Sequence, residues 1–178
     1  MRIISGKYKS RRFSIPGNFK ARPTTDFAKE NIFNIIRNKM NLEGANALDL
    51  FSGTGSISFE LISRGCSQVT CVEKDFAHLA FIKKVESELK SGVLKPIKAD
   101  VFTFLKNCNE KYDFIFADPP YALKELGEIP ALILSKKMLN PEGLLIMEHP
   151  KEYDFSALPE FEEHRMYGSV NFSLFAIT

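Results

Sequence analysis

Cysteine is scarce: Cys66, Cys71 and Cys108 are the only three in 178 residues, an odd number with no CxxC spacing. That set supports neither a disulfide framework nor a zinc site, so free thiols are expected. Histidine is equally sparse, and His78, His149 and His164 are scattered without a metal-ligand or triad pattern. His149, next to Glu148, keeps two readings, at a pocket rim or within the structure. No apolar run is long and unbroken enough to span a bilayer, and no charged start followed by an apolar stretch marks a secretory leader. Repeats and low-complexity tracts are missing as well, which argues against a solenoid or a disordered arm. What remains is 44% apolar content in a length suited to one domain with one sizeable core. A cytoplasmic protein with no metal and no membrane partner is expected.

Acidic residues are absent from the first 25 positions, which hold Arg2, Lys7, Lys9, Arg11, Arg12, Lys20 and Arg22. The whole chain carries a formal charge of only +2, so the remainder is net negative. Such a stretch suits phosphate contact. Ile3, Ile4, Tyr8, Phe13 and Ile15, broken by Gly6, Pro16 and Gly17, follow the pattern of short hairpin strands. An organelle transit sequence would instead be an amphipathic helix. Residues 1–25 are therefore expected to form a basic hairpin extension beside a pocket, with residues 26–178 as the core of the same single domain.

The most informative motif is Asp118-Pro119-Pro120-Tyr121, which closes the apolar run Tyr112–Ala117. An amine conjugated to a ring is a poor nucleophile because its lone pair is delocalised. Two fixed acceptors, the Asp118 carboxylate and the Pro119 carbonyl, can each take one N–H, bend the amine toward tetrahedral geometry and localise that lone pair. Pro119 and Pro120 would hold the turn rigid. Tyr121 would offer a flat face to a base swung out of its stack. Taken alone, the four residues also fit a strand that ends in a tight turn.

A second motif lies upstream, where Ala47 to Leu50 reads as a strand and leads through Phe51, Ser52, Gly53, Thr54 and Gly55 into a helix over residues 57–64. Gly53 and Gly55 allow close backbone approach to a ligand. The loop is not the dinucleotide fingerprint, since Ser58 stands where a third glycine would be needed, and no Gly-Lys-Ser/Thr makes it a P-loop. Asp49, just before the glycines, suits a cationic or amine-bearing ligand. Residues 68–72 read as a second strand ending at Glu73, placed to accept both hydroxyls of a ribose. Residues 94–99 read as a third, ending in Asp100, which can accept an adenine amino group, with Val101 beside it. In open parallel α/β sheets ligands bind at the carboxyl ends of the strands, and four successive strand ends here carry an acid.

With these residues laid out, the chain resembles the S-adenosylmethionine-dependent methyltransferases in Asp49-x-Phe51-x-Gly53-x-Gly55, and their amino-methylating branch in Asp118-Pro119-Pro120-Tyr121. A closer resemblance is to the RsmD family, the 16S ribosomal RNA guanine-N2 methyltransferases. It is carried by Arg2-Ile3-Ile4-Ser5-Gly6-Lys7, Arg22-Pro23-Thr24-Thr25-Asp26, Glu30-x-Ile32-Phe33-Asn34-Ile35, Glu60-Leu61-x-Ser63-Arg64-Gly65 and Tyr167-Gly168. Phe27 and Lys29 depart from it, since arginines are usual there. The resemblance implies a Rossmann-like class I methyltransferase fold, with a seven-stranded, mostly parallel sheet and its last strand reversed. It further implies S-adenosylmethionine as cofactor and 16S ribosomal RNA or the small subunit as partner. Asp49, Phe51, Ser52, Gly53, Gly55, Glu73, Asp100 and Val101 would bind the cofactor. Asp118, Pro119, Pro120 and Tyr121 would act in catalysis, and Arg2, Lys7, Arg11, Arg12, Arg22 and Thr24 would meet RNA. Arg22 and Thr24 keep a second role, closing over the methionine end of the cofactor. Two other functions stay open: a methyltransferase acting on adenine N6 or cytosine N4 of DNA or RNA, and a non-enzymatic RNA-binding assembly factor with a relic pocket.

The remaining pattern alternates as a doubly wound fold requires. A helix capped by Thr25 or Asp26 would bury Ala28, Ile32, Ile35, Ile36 and Met40. Helices are expected over residues 75–90, 101–107 and 123–138, a fifth strand over 144–148, and a terminal hairpin of residues 161–167 and 172–177 joined through Gly168.

Overall fold

The computed structural model describes residues 1–19 and 24–178. Arg22, one of the expected RNA contacts, lies outside the described residues.

Short apolar runs build one seven-stranded sheet, in the order β3-β2-β1-β4-β5-β7-β6. Its strands are β1 (Asn46–Leu50), β2 (Gln68–Glu73), β3 (Leu94–Lys98), β4 (Tyr112–Ala117), β5 (Leu139–His149), β6 (Phe161–Tyr167) and β7 (Val170–Ala176). The helices are α1 (Asp26–Lys39), α2 (Ser56–Ser63), α3 (Phe76–Leu89), α4 (Val101–Asn107) and α5 (Ile129–Ser135). Pairing from β3 through β5 is parallel, while β7 runs antiparallel to both β5 and β6. This is the Rossmann-like methyltransferase sheet with its last strand reversed.

Because both faces are covered, the central strands are apolar almost throughout. Ala47, Val69, Phe114, Phe116 and Ile146 pack with α1, α2 and α3 on one face. Leu48, Leu50, Val72, Ile115, Ala117 and Met147 pack with α4 and α5 on the other. The chain goes outward from β1 to β3 and then returns to place β4 on β1's other side. The carboxyl ends of β1 and β4 therefore flank the switch point, the place at which open parallel α/β sheets bind their ligands.

Two elements differ from expectation. The helix of residues 123–138 shrinks to a 3-10 turn at Leu126–Glu128 and then α5. Leu123 is used by the turn after the motif, its N–H donating to the Pro120 carbonyl at 2.9 Å. Pro130 has no N–H to donate, so it suits only the first turn of a helix. Strand β5 starts five residues early: Leu139 pairs with Tyr112 and Leu144 with Phe114, and the surplus residues bulge, with Glu142 at φ 60°. The N-terminal hairpin is present but short: Arg2 bridges Arg12, the Ile3 and Phe13 N–H groups donate to the Arg11 and Met1 carbonyls at 2.9 Å, and the chain turns at Gly6 (φ 81°) against α2. A Cβ at Gly6 would collide with the Ser63 carbonyl.

The hairpin is held by buried polar groups. Glu60 accepts the N–H groups of Ile4 (2.9 Å) and Ser5 (3.0 Å), and Ser63 Oγ accepts the N–H of Tyr8 (2.9 Å). Lys29 Nζ lies 3.7 Å from Glu60, both side chains almost wholly buried, and donates to the Arg2 carbonyl. Burial pushes the Lys29 ammonium below its ordinary pKa. Arg64 Nε donates to Glu60 at 3.0 Å, with its guanidinium over the Phe33 ring. Lys29, where the family usually has an arginine, is thus an internal anchor and faces no solvent partner.

Candidate active site

The glycine loop is shaped by what lies beneath it. Asp49, 2% exposed, accepts the backbone N–H of Ser58 at 3.1 Å and its hydroxyl at 2.5 Å. Ser58 thus fills the place of the third glycine with a donor that ties α2 to β1. Ser52 Oγ donates to the Asp49 carbonyl at 2.8 Å. Phe51 (φ 61°), Gly53 (φ 55°) and Gly55 (φ 76°) are all left-handed, which folds the loop back at the strand end. Gly55 is required from within as well, since a Cβ there would come 2.9 Å from the Phe59 ring and 3.0 Å from Ile82. Burial drives Asp49 up to about 7, against the opposing hydrogen bonds from Ser58 and with help from the nearby Glu73 charge.

Glu73 ends β2 as expected, and it already serves the loop: Oε2 accepts the Gly53 N–H and Oε1 the Asp75 N–H, both at 2.8 Å. Each carboxylate oxygen has two lone pairs, so both retain capacity for a ribose hydroxyl. Asp100 caps α4, with Oδ1 accepting from Phe102 (3.0 Å) and Thr103 (3.2 Å), and it is exposed beside buried Val101. Capping and ligand binding are compatible, because Oδ2 takes no part in the cap. Phe76, 72% exposed at the first turn of α3, stands under Lys98 Nζ. Sequence reading passed over it as an ordinary helix residue.

Beyond β4, Pro119 is buried, Asp118 partly exposed, and Pro120 and Tyr121 open to solvent, Tyr121 by 47%. The Tyr121 hydroxyl donates to Glu148 Oε1 at 2.9 Å. Burial, together with the charges of Glu148 and Asp49, pushes Asp118 well above the usual carboxylate range. Burial raises Glu148 as well, although the Tyr121 hydrogen bond opposes it. Three carboxyls that ionise reluctantly thus converge at the ends of β1, β4 and β5. A positive centre and N–H donors would relieve all three, so the cluster fits a sulfonium next to an amine. Glu148 was missed as a site residue, although the rule that found the other strand-end acids applies to it unchanged.

His149 is structural: it is buried, its ring nitrogens lie 2.9 Å from the Pro150 carbonyl and 2.8 Å from Ser173 Oγ, and burial lowers its pKa. All three cysteines are buried and free, with Cys66 and Cys71 pushed up to about 12 by burial. Among the described residues, no group of three or more His, Cys, Asp or Glu could hold a metal ion, and no helix is long and apolar enough to cross a membrane.

The expected RNA contacts divide into two groups. Lys7 sits at the hairpin turn, whose backbone is bound to Ser63 at the far end of α2, roughly 12 Å along the helix from the glycine loop. Arg2, Arg12 and Thr24 instead line one cavity of about 700 Å³ at the start of α1. Arg2 is engaged there with Asp26 at 2.7 Å, while Arg12 and Arg11 are exposed. Among the described residues, Lys7 therefore stands at the far end of α2, while Arg2, Arg12 and Thr24 gather at the start of α1.

A Rossmann-like sheet with this glycine loop, these acidic strand ends and an Asp-Pro-Pro-Tyr turn defines a methyltransferase. The family described as "Conserved hypothetical protein 95" matches residues 1–176, and the chain belongs to it; it is the RsmD family. The Ribosomal RNA small subunit methyltransferase D of Buchnera aphidicola subsp. Baizongia pistaciae is 35% identical over 148 residues, covering 83% of this chain and 75% of that protein. The protein of the same name from Escherichia coli K12 is 28% identical over 178 residues, covering 98% and 89%. The solved structure of yhhF from Escherichia coli superposes with a TM-score of 0.87 at 28% identity, covering 99% of this chain and 97% of that one.

Proposed function

We propose that this protein transfers a methyl group from S-adenosylmethionine to the exocyclic N2 amine of a guanine in 16S ribosomal RNA, as a single unit in which residues 1–25 serve as extension to the catalytic core. The observation that carries the reading is the Asp118 to Tyr121 turn set against three converging carboxyls at the switch point. The RNA substrate is supported by relatives named ribosomal RNA small subunit methyltransferase D.

When bound, S-adenosylmethionine supplies a methyl on a sulfonium that is already activated for displacement. Glu73 would hold its ribose, Asp100 its adenine amino group, and Asp49 with the Phe51 to Gly55 loop its methionine end. Asp118 and the Pro119 carbonyl take the two N–H bonds of the base amine and aim its lone pair along the line of attack. Tyr121 carries the flat face of the base. The proton lost from nitrogen after transfer passes to Asp118 or to water. Phosphates are held by the exposed Lys7, Arg11 and Arg12.

The test is mass spectrometry of nucleosides from small-subunit ribosomal RNA of cells with and without the gene. Loss of N2-methylguanosine is expected. Loss of a methylated adenine or cytosine instead would overturn the reading.

A further inference from the structure

We propose that Glu148 selects the base, its carboxylate accepting the ring N1–H of guanine next to the amine held by Asp118. The inference rests on the guanine-N2 reading and supplies the base recognition that reading lacks.

Strands β4 and β5 are parallel, with Ala117 opposite Met147, so Asp118 and Glu148 are the next residues on neighbouring strands at the same edge. Asp118 feels the charge of Glu148 directly. The Tyr121 hydroxyl fixes Glu148 Oε1 at 2.9 Å, at the rim of the ring on which a base would lie. A base flat on Tyr121 therefore brings its edge to Glu148. Three bases carry an exocyclic amine, and they differ in the neighbouring ring atom. Adenine N6 adjoins the lone pair of N1, and cytosine N4 adjoins the lone pair of N3. Guanine N2 adjoins N1–H, a donor. Adjacent carboxylates thus meet adjacent donors with guanine, and one of them faces a lone pair with adenine or cytosine, a mismatch that leaves a buried polar group unpaired.

The experiment compares kcat/KM for RNA carrying guanine or 2-aminopurine at the methylated position, in wild type, Glu148→Gln and Tyr121→Phe. 2-Aminopurine keeps the N2 amine and presents a lone pair at N1. Wild type is expected to favour guanine by at least about 100-fold. In Glu148→Gln the amide oxygen still accepts from Tyr121 while its NH2 donates to N1, so the preference falls by about tenfold or more. Tyr121→Phe keeps the carboxylate but removes the hydroxyl that fixes it, so the preference falls less than in Glu148→Gln. Both substrates are compared on one enzyme preparation, so the ratio is independent of the folded fraction. Where turnover is too slow, competition binding read by 2-aminopurine fluorescence reports the preference in affinity, which should fall in the same direction. An unmoved ratio in Glu148→Gln overturns the inference, and so does a Tyr121→Phe variant that reproduces its fall. Absence of N2-methylguanosine with wild type would overturn the guanine reading itself, and is distinct from an unmoved ratio.

Discussion

Replacing Glu60 by Ala should release the N-terminal hairpin and destabilise the whole fold. The substitution removes the acceptor for the Ile4 and Ser5 amides and the partner of Arg64. It also strands the Lys29 ammonium, whose side chain is 1% exposed. An uncompensated buried charge costs about 3–5 kcal/mol. For a chain of this size each kcal/mol moves Tm by about 2–4 °C, so a fall of roughly 6–20 °C is expected. Scanning calorimetry reads that shift, and hydrogen exchange should report lost protection at Ile4, Ser5, Lys7 and Tyr8. Adding Lys29→Met in the same background should recover part of the loss, because the unpaired charge goes with it. A Tm change under about 2 °C with the hairpin amides still protected would refute the reasoning.

The remaining predictions concern the site. Asp118→Ala should lower methyl transfer by about 100-fold or more while equilibrium cofactor binding stays near wild type; transfer at the wild-type rate would remove Asp118 from the mechanism. Asp49→Asn tests burial: the folded pKa is raised to about 7, so the stability it contributes is present below about pH 4 and lost as pH rises through 7. Wild type should therefore lose about 4 kcal/mol relative to Asp49→Asn between pH 4 and 8, as read from denaturant melts. Gly55→Ala should cost about 1–3 kcal/mol, from the strained φ and the Phe59 and Ile82 contacts, with a matching drop in denaturant midpoint.

Much of this was legible because short apolar runs and strand-end acids are local signals. Glu73, Asp100 and Asp118 stand at the strand ends where spacing put them, and all seven strands exist, with only β5 displaced by more than about two residues at either end. Other features depend on partners distant in sequence. Lys29 looks like a surface cation until Glu60, 31 positions later, is found buried against it. Gly55 reads as room for a ligand, but Ile82 from α3 also crowds the place of its Cβ. Strand β5 hid its first five residues behind Asn140-Pro141-Glu142-Gly143, which has turn chemistry and in the fold becomes a bulge. The short hairpin had the same cause as Lys29: alternation marked the strands, but docking on α2 decided where they turn.

Helix α2 is only eight residues long, and both of its ends are committed. Gly55 must start it at the loop, while Glu60 and Ser63 must face the hairpin. One inserted residue before Glu60 would swing those two side chains by about 100° and aim them away from Ile4, Ser5 and Tyr8. Its apolar residues can be exchanged for others of similar volume, but its length cannot change without uncoupling the extension from the loop. The helix therefore works as a fixed-length spacer between the two parts of the molecule.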